Sequence, residues 1–247
     1  MLKNSVLGKA ALKAKLSAVS AAALILVAMG SGDAARAAFV AAICNDAACS
    51  GGNDIIVTDN SPSDLAPSPG VITSFPIGGA FGFSIVLNFA QSKPAIGSAS
   101  VPHLDLNFAV TGGSGTIFLY ASDTGFTTPP TGYALNIGGT SSSGNVTAGA
   151  WGGNSNAALD FSNSLGSLGP FTGAFSGSLA GLLNPTANPY ALTIGVAVTR
   201  SRGDTNTTTG DLNFAAVPGP VLGAGLPGLI IACGGLLALA RRRRMAA

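Results

Sequence analysis

From residue 81 onward the chain alternates short apolar runs with clusters of Gly, Ser, Thr, Asn and Pro. The apolar runs predict strands over 81–90, 104–111, 116–121, 133–137, 145–151, 171–179, 191–199 and 211–215. Several have a period of two. Leu104-Asp105-Leu106-Asn107-Phe108 puts its apolar side chains on one face and its polar ones on the other, as a half-buried strand does. The middle of the chain shows no helical periodicity. Many short strands between turn residues predict an all-β fold, a single β-sandwich or jelly-roll-like domain over 38–216. Asp-Leu-Asn-Phe occurs at 105–108 and again at 211–214, a repeat that either equivalent strands or chance would produce. Asp123-Thr124-Gly125 predicts a turn, with the carboxylate bonding the backbone and the glycine accepting positive φ.

The two ends break this pattern. Lys3, Lys9, Lys13 and Lys15 precede an apolar run from Leu16 to Gly30, and Ala35-Arg36-Ala37 follows. A basic start, an apolar segment and a small-x-small site in that order predict a secretory signal over 1–37, cut between Ala37 and Ala38. The apolar run has about 15 residues, short of the ~20 that span a bilayer. At the other end Gly219 to Ala240 is uncharged. As a helix its length would be roughly 33 Å, enough to cross a hydrocarbon core of about 30 Å. Arg241, Arg242, Arg243 and Arg244 follow as a stop-transfer cluster that stays in the cytoplasm and leaves the body outside. The predicted chain is therefore a signal helix, an extracellular β domain and a carboxy-terminal transmembrane helix.

Val217-Pro218-Gly219-Pro220, an apolar segment and a terminal arginine cluster together resemble a PEP-CTERM sorting signal. The resemblance covers 217–247, with Gly219 standing where the family name puts Glu. It implies processing by exosortase, transient anchoring in the inner membrane, and a final place in the cell envelope or in an exopolysaccharide matrix.

Composition narrows the chemistry. Only 9% of the 247 residues are charged, against about a quarter in an ordinary soluble domain. Away from the ends the cations are Lys93, Arg200 and Arg202, against nine aspartates, so the body carries about −6. An acidic body excludes nucleic acid as a partner, since phosphate binding needs a basic patch. There is no glutamate, His103 is the only histidine, and no Gly-x-Ser-x-Gly elbow occurs. No catalytic, cofactor-binding or metal-binding set is therefore assigned. Cys44 and Cys49, outside the reducing cytoplasm, are expected to pair as a small local disulfide in an exposed amino-terminal arm. These readings point to an exported structural or adhesive protein of the envelope or matrix. The alternative is an exopolysaccharide-binding module, and a secreted hydrolase is the remote third. One Trp and three Tyr in the whole chain weigh against a sugar-binding face.

Overall fold

Residues 133–137 and 145–151, separate runs in the sequence, belong to one long bent strand that organises the molecule. The computed structural model describes residues 38–73, 77–201 and 205–217. These form β1 (Val40–Cys44), β2 (Ile55–Thr58), β3 (Val71–Ile72), β4 (Ile77–Ala80), β5 (Phe83–Gln91), β6 (His103–Gly112), β7 (Gly115–Phe126), β8 (Thr131–Gly152), β9 (Ser164–Leu183), β10 (Tyr190–Arg200) and β11 (Thr207–Val217), with no helix among them. The fold is all-β. Every strand pairing is antiparallel, in the order β2-β1-β7-β10-β8-β11-β6-β5-β3, with β4 on β5 and β9 on β8.

One edge of β8 is shared by two strands. Its first part, from Gly132 to Ser141, pairs with β11, and its second, from Asn145 to Gly152, pairs with β10. The opposite edge pairs with β9 along both parts. The register slips between Ser141 and Val146, where the strand turns. Gly144 sits at this point with φ +79°, and a Cβ there would lie 2.1 Å from the Thr199 carbonyl oxygen, so only glycine fits. Past the bend the sheet curls into two leaves. The first contains β2, β1, β7, β10 and the second half of β8; the other contains the first half of β8 with β11, β6, β5, β3 and β4.

Alternation then makes the core. Leu119, Ile194, Val196 and Val198 from one leaf share a single buried cluster with Leu106, Phe108, Leu212 and Phe214 from the other. This curled, two-leaved arrangement is consistent with the expected β-sandwich. Two polar contacts, one buried and one partly buried, fasten the leaves. Arg200, 2% exposed on β10, donates from Nη2 to the Val110 carbonyl at 3.0 Å and to Thr208 Oγ1 at 2.9 Å, and from Nη1 to the Gly112 carbonyl at 3.0 Å. Lys93 bonds Asp123 at 2.8 Å while its Nζ lies 4.0 Å from the centre of the Phe126 ring.

Asp123-Thr124-Gly125 keeps the expected positive φ at Gly125, +77°, and the expected carboxylate-to-backbone bond, but it is not a turn. It continues β7, and Asp123 is buried, accepting from Ser92 Oγ at 2.5 Å and from the Thr124 N–H at 2.7 Å. The partly buried Lys93 cation supplies the partner that makes a carboxylate tolerable inside a strand. The two Asp-Leu-Asn-Phe segments lie side by side, Leu106 opposite Leu212, Asp105 opposite Asn213 and Asn107 opposite Asp211.

The signal segment with Ala35 and Ala37, the tail with Pro218, Gly219, Pro220 and Arg241 to Arg244, and the helices expected there all lie outside the described residues. Among the described residues no helix is long and apolar enough to cross a membrane.

Candidate functional site: an aromatic groove on the outer face

In β7 the apolar residues Ile117, Leu119 and Ala121 point to the core, so Phe118, Tyr120 and Ser122 occupy the outer face of the first leaf. The strand register aligns them in rows. Ala42, Tyr120, Gly195 and Gly149 form one row, running from β1 through β7 and β10 to β8. Cys44, Phe118, Ala197 and Thr147 form the next. Ser122, Thr193 and Trp151 form the row on the other side, with Ser122 Oγ and Thr193 Oγ1 hydrogen-bonded at 2.8 Å.

Two glycines let the rings lie along the sheet. A Cβ at Gly195 would meet Tyr120 Cδ1 at 2.1 Å, and one at Gly149 would meet Trp151 Cη2 at 2.7 Å. Phe161 completes the cluster from the loop after β8. Its centroid lies 4.8 Å from Tyr120 and 5.2 Å from Trp151, the latter pair edge to face at 89°. Tyr120 and Trp151 are 6.0 Å apart at 75°, and Phe118 is parallel to Tyr120 at 6.3 Å. These are the offset and T-shaped geometries favoured by ring quadrupoles. Tyr120 is buried, whereas Phe118, Trp151 and Phe161 keep part of their surface open. They border a groove of about 560 Å³ whose floor is Gly149, Gly195 and Ala197.

Both walls are tied to this floor. Leu159 N–H donates to Ser122 Oγ at 2.9 Å, and the Asp160 carboxylate holds the Phe161 loop through Ser155 Oγ at 2.5 Å and the Ser162 N–H at 2.9 Å. These hydroxyl and amide donors hold the Asp160 carboxyl below the ordinary carboxylate range. The facing wall is the loop that follows β1. Cys44 and Cys49 are joined there as a disulfide, with Cα atoms 5.2 Å apart. Tyr120 Oη donates to the Ala47 carbonyl at 2.9 Å. Burial first, and then the Asp46 charge, raise the Tyr120 phenol above its ordinary value, so it stays a neutral donor. Slight desolvation opposes the charge of Asp46, but N–H donation from Ser50, Ala48 and Gly51 outweighs it and keeps that carboxyl below its usual range.

The disulfide is thus not in a loose arm. Cys44 is fully buried at the end of β1 and packs with Ala42 and Tyr120. Cys44, Cys49 and Asp54 are the only described side chains that approach metal-ligand spacing, and with the sulfurs bonded to each other they offer a single carboxylate. Ala38 begins the described chain, its N–H donating to Thr124 Oγ1 at 2.7 Å. Val217 ends β11, its carbonyl accepting from Thr131 Oγ1 at 2.8 Å. His103 is on the other leaf, its Nε2 2.8 Å from Asn213 Nδ2. On that face burial and then the neighbouring Asp211 charge push Asp105 up to about 6.

A count of aromatic residues misses the groove, because it depends on where the few rings converge. The local sign is Phe118-Leu119-Tyr120, apolar on both faces of one strand where strict alternation calls for a polar outer face.

No family model matches the chain, and no curated protein matches it. Several solved structures are similar to parts of the chain at low identity. The enzymatically active domain of a bacteriophage CBA120 tailspike protein is 9% identical with a TM-score of 0.34, over 55% of this chain and 19% of that one. A structure described for the promiscuous specificity of carbohydrate-binding modules from the β-sandwich superfamily is 14% identical with a TM-score of 0.30, over 66% and 65%. The K1 cleaved adhesin domain of Lys-gingipain from Porphyromonas gingivalis W83 is 14% identical with a TM-score of 0.29, over 60% and 90%. The chain spans about a fifth of the tailspike domain it matches.

Proposed function

We propose that the β domain is an extracellular binding module, and that its groove takes a neutral polysaccharide. The observation that carries this is the groove itself: three partly open aromatic rings over a glycine floor, with no charged side chain in its lining. A pyranose presents one face of C–H groups and a rim of hydroxyls. The rings match the face, and Thr147, Ser167 and the Ala47–Ala48 backbone match the rim. An anionic polymer would meet no cation in the groove, and a body of about −6 would repel it. A binding role also suits His103, which lies on the other leaf, away from the groove and bonded to Asn213.

Trp151 is the only tryptophan, so its fluorescence reports on the groove alone. Titrating the purified protein with neutral and with uronate-containing exopolysaccharides tests the proposal. Saturable quenching by a neutral polymer, lost in Phe161→Ala and absent with the anionic one, is expected. Equal response to both polymers, or none to either, overturns it.

Delivery belongs to the same proposal. The signal at 1–37 exports the chain, and the PEP-CTERM-like tail hands it to exosortase for release into the envelope or matrix. Support comes from the order of the tail motif, with Pro218-Gly219-Pro220 directly after the β domain in the sequence. A structural or adhesive role in the matrix follows from holding its polysaccharide.

A further inference from the structure

The loop between β1 and β2 folds back so that its two feet meet. Asn45 and Asp46 follow Cys44 at the end of β1, and Asp54 precedes Ile55 at the start of β2. Gly51 joins them. Its N–H donates to Asp46 Oδ2 at 3.1 Å, and its carbonyl accepts from the Asp54 N–H at 3.3 Å. A Cβ on Gly51 would lie 2.9 Å from Asn45 Oδ1, 3.2 Å from Asp54 Oδ1 and 3.3 Å from Asp46 Oδ2. Apart from the glycine and its chain neighbours, the three heavy atoms nearest that point are all oxygens, one from each of three side chains.

Asp54 is the unusual member of the three. Both of its carboxylate oxygens are buried, and neither accepts a hydrogen bond. The sulfurs of Cys44 and Cys49 lie beside it, but as a disulfide they have no proton to donate. Among the described residues no lysine or arginine pairs with Asp54 or Asp46. The Asp46 carboxylate, by contrast, is fixed by N–H donors from Ala48, Ser50 and Gly51. A desolvated carboxylate without a donor is costly unless a positive charge meets it. The geometry gives that charge a place, since the orphaned Asp54 Oδ1 is one of the three oxygens around a single point.

We infer that Asn45, Asp46 and Asp54 hold a calcium ion at the place a side chain on Gly51 would fill. The donors are two carboxylates and an amide oxygen, a set that suits a hard cation and not zinc, which favours thiolate and imidazole. Calcium takes oxygens at about 2.3–2.6 Å in irregular geometry, so these side chains need close by only about half an ångström. Magnesium demands a near-ideal octahedron at about 2.0–2.1 Å and sheds its water reluctantly. With both oxygens unpartnered, Asp54 can bind the ion through either or both. The acidic body favours a cation anywhere on its surface, and this point is where the ligands are already gathered. Ala47 and Ala48, next along the chain, line the groove, and the Ala47 carbonyl accepts from Tyr120 Oη. The ion therefore braces that wall beside the disulfide, whatever the groove takes.

The test uses the full-length chain in detergent, stripped with EDTA, dialysed free of it and titrated with calcium chloride by calorimetry. One saturable site is expected, with a Kd on the order of 0.1–1 mM, the range of extracellular calcium modules. Magnesium chloride should bind roughly tenfold more weakly or not at all. Gly51→Ala puts a methyl group where the ion sits, and Asp54→Asn removes a charged ligand, so each should weaken calcium binding roughly tenfold or more. Gly52→Ala, whose Cβ would have nothing within 4 Å, should bind as the wild type does. Thermal melts give a second readout. Calcium should raise the Tm of the wild type and leave that of Asp54→Asn unchanged. In EDTA, Asp54→Asn should melt no lower than the wild type, because the uncompensated charge is gone. A wild type that takes up no calcium overturns the inference. So does binding that survives both Gly51→Ala and Asp54→Asn, since the ion would then sit elsewhere, and so does magnesium binding as tight as calcium.

Discussion

The ring of Tyr120 lies across Gly195 so closely that a methyl group on residue 195 would fall 2.1 Å from Tyr120 Cδ1. That contact makes the glycine part of the groove as well as of the strand. Gly195→Val, otherwise favourable in a strand, is expected to lift the ring off the floor. Overpacking of this kind costs roughly 1–3 kcal/mol. Urea unfolding should show that loss, and polysaccharide quenching of Trp151 should weaken with it. A Gly195→Val variant with unchanged stability and binding would mean that the ring does not lie where the structure puts it.

Arg200 is a buried cation held mainly by oxygens of the opposite leaf. Arg200→Met keeps most of the apolar volume but leaves the Val110 and Gly112 carbonyls and Thr208 Oγ1 without this donor. Hydrogen bonds to a charged donor contribute about 1.5–3 kcal/mol each, and the unmade partners cost more when buried. A fall of about 3 kcal/mol in unfolding free energy is expected from equilibrium denaturation. Arg200→Lys should recover only part of it, because an ammonium lacks the planar fork.

Asp105 sets a pH dependence. Burial and Asp211 raise its folded-state pKa to about 6 from 3.8, so the folded protein keeps a proton that the unfolded chain has released. Between these two values stability should fall as pH rises, and above about 6 it should level off. Asp105→Asn removes the penalty on the charged form. It should raise stability at pH 7 by about 1–2 kcal/mol and flatten the acid limb, taking 1.36 kcal/mol per unit and discounting for solvent. Thermal melts of the two proteins from pH 4 to pH 7 compare the slopes. Identical slopes would show that Asp105 ionises freely.

The tail prediction separates a sorting signal from a plain anchor. An anchor needs the apolar run and Arg241 to Arg244, whereas a processed signal also needs an extended segment that an enzyme can hold. Pro218 and Pro220 supply that segment, since proline lacks a donor and disfavours helix in the residue before it. Pro218→Ala with Pro220→Ala is expected to leave membrane insertion intact and to block maturation in cells that have exosortase. Mass spectrometry of the carboxy terminus reads the result. Retention of Arg241 to Arg244 in the mature wild-type protein would leave the tail as an anchor only.

Alternation was enough to mark the all-β class and most of the strands from Phe83 onward, because an amphipathic strand records its own burial with period two. Leu104 to Phe108 is the clearest case, and it lies in β6. The same local rule joined nothing together. It could not tell that 133–137 and 145–151 are one strand, since a bend at Gly144 interrupts the apolar signal without ending the chain's pairing. It took Asp123-Thr124-Gly125 for a turn, because the burial of Asp123 depends on Lys93, a residue 30 positions away in the turn after β5. The expected export and sorting segments rest on hydrophobic length and charge order, which act without a partner, and they lie outside the described residues. The groove was not legible in the sequence. Phe118, Tyr120, Trp151 and Phe161 are unremarkable in their own neighbourhoods, and only antiparallel register, which sets Tyr120 beside Gly195 and Gly195 beside Gly149, places them on one face. A strand's sequence determines which side chains share its face; the strands lying next to it, chosen by long-range pairing, decide what those side chains meet.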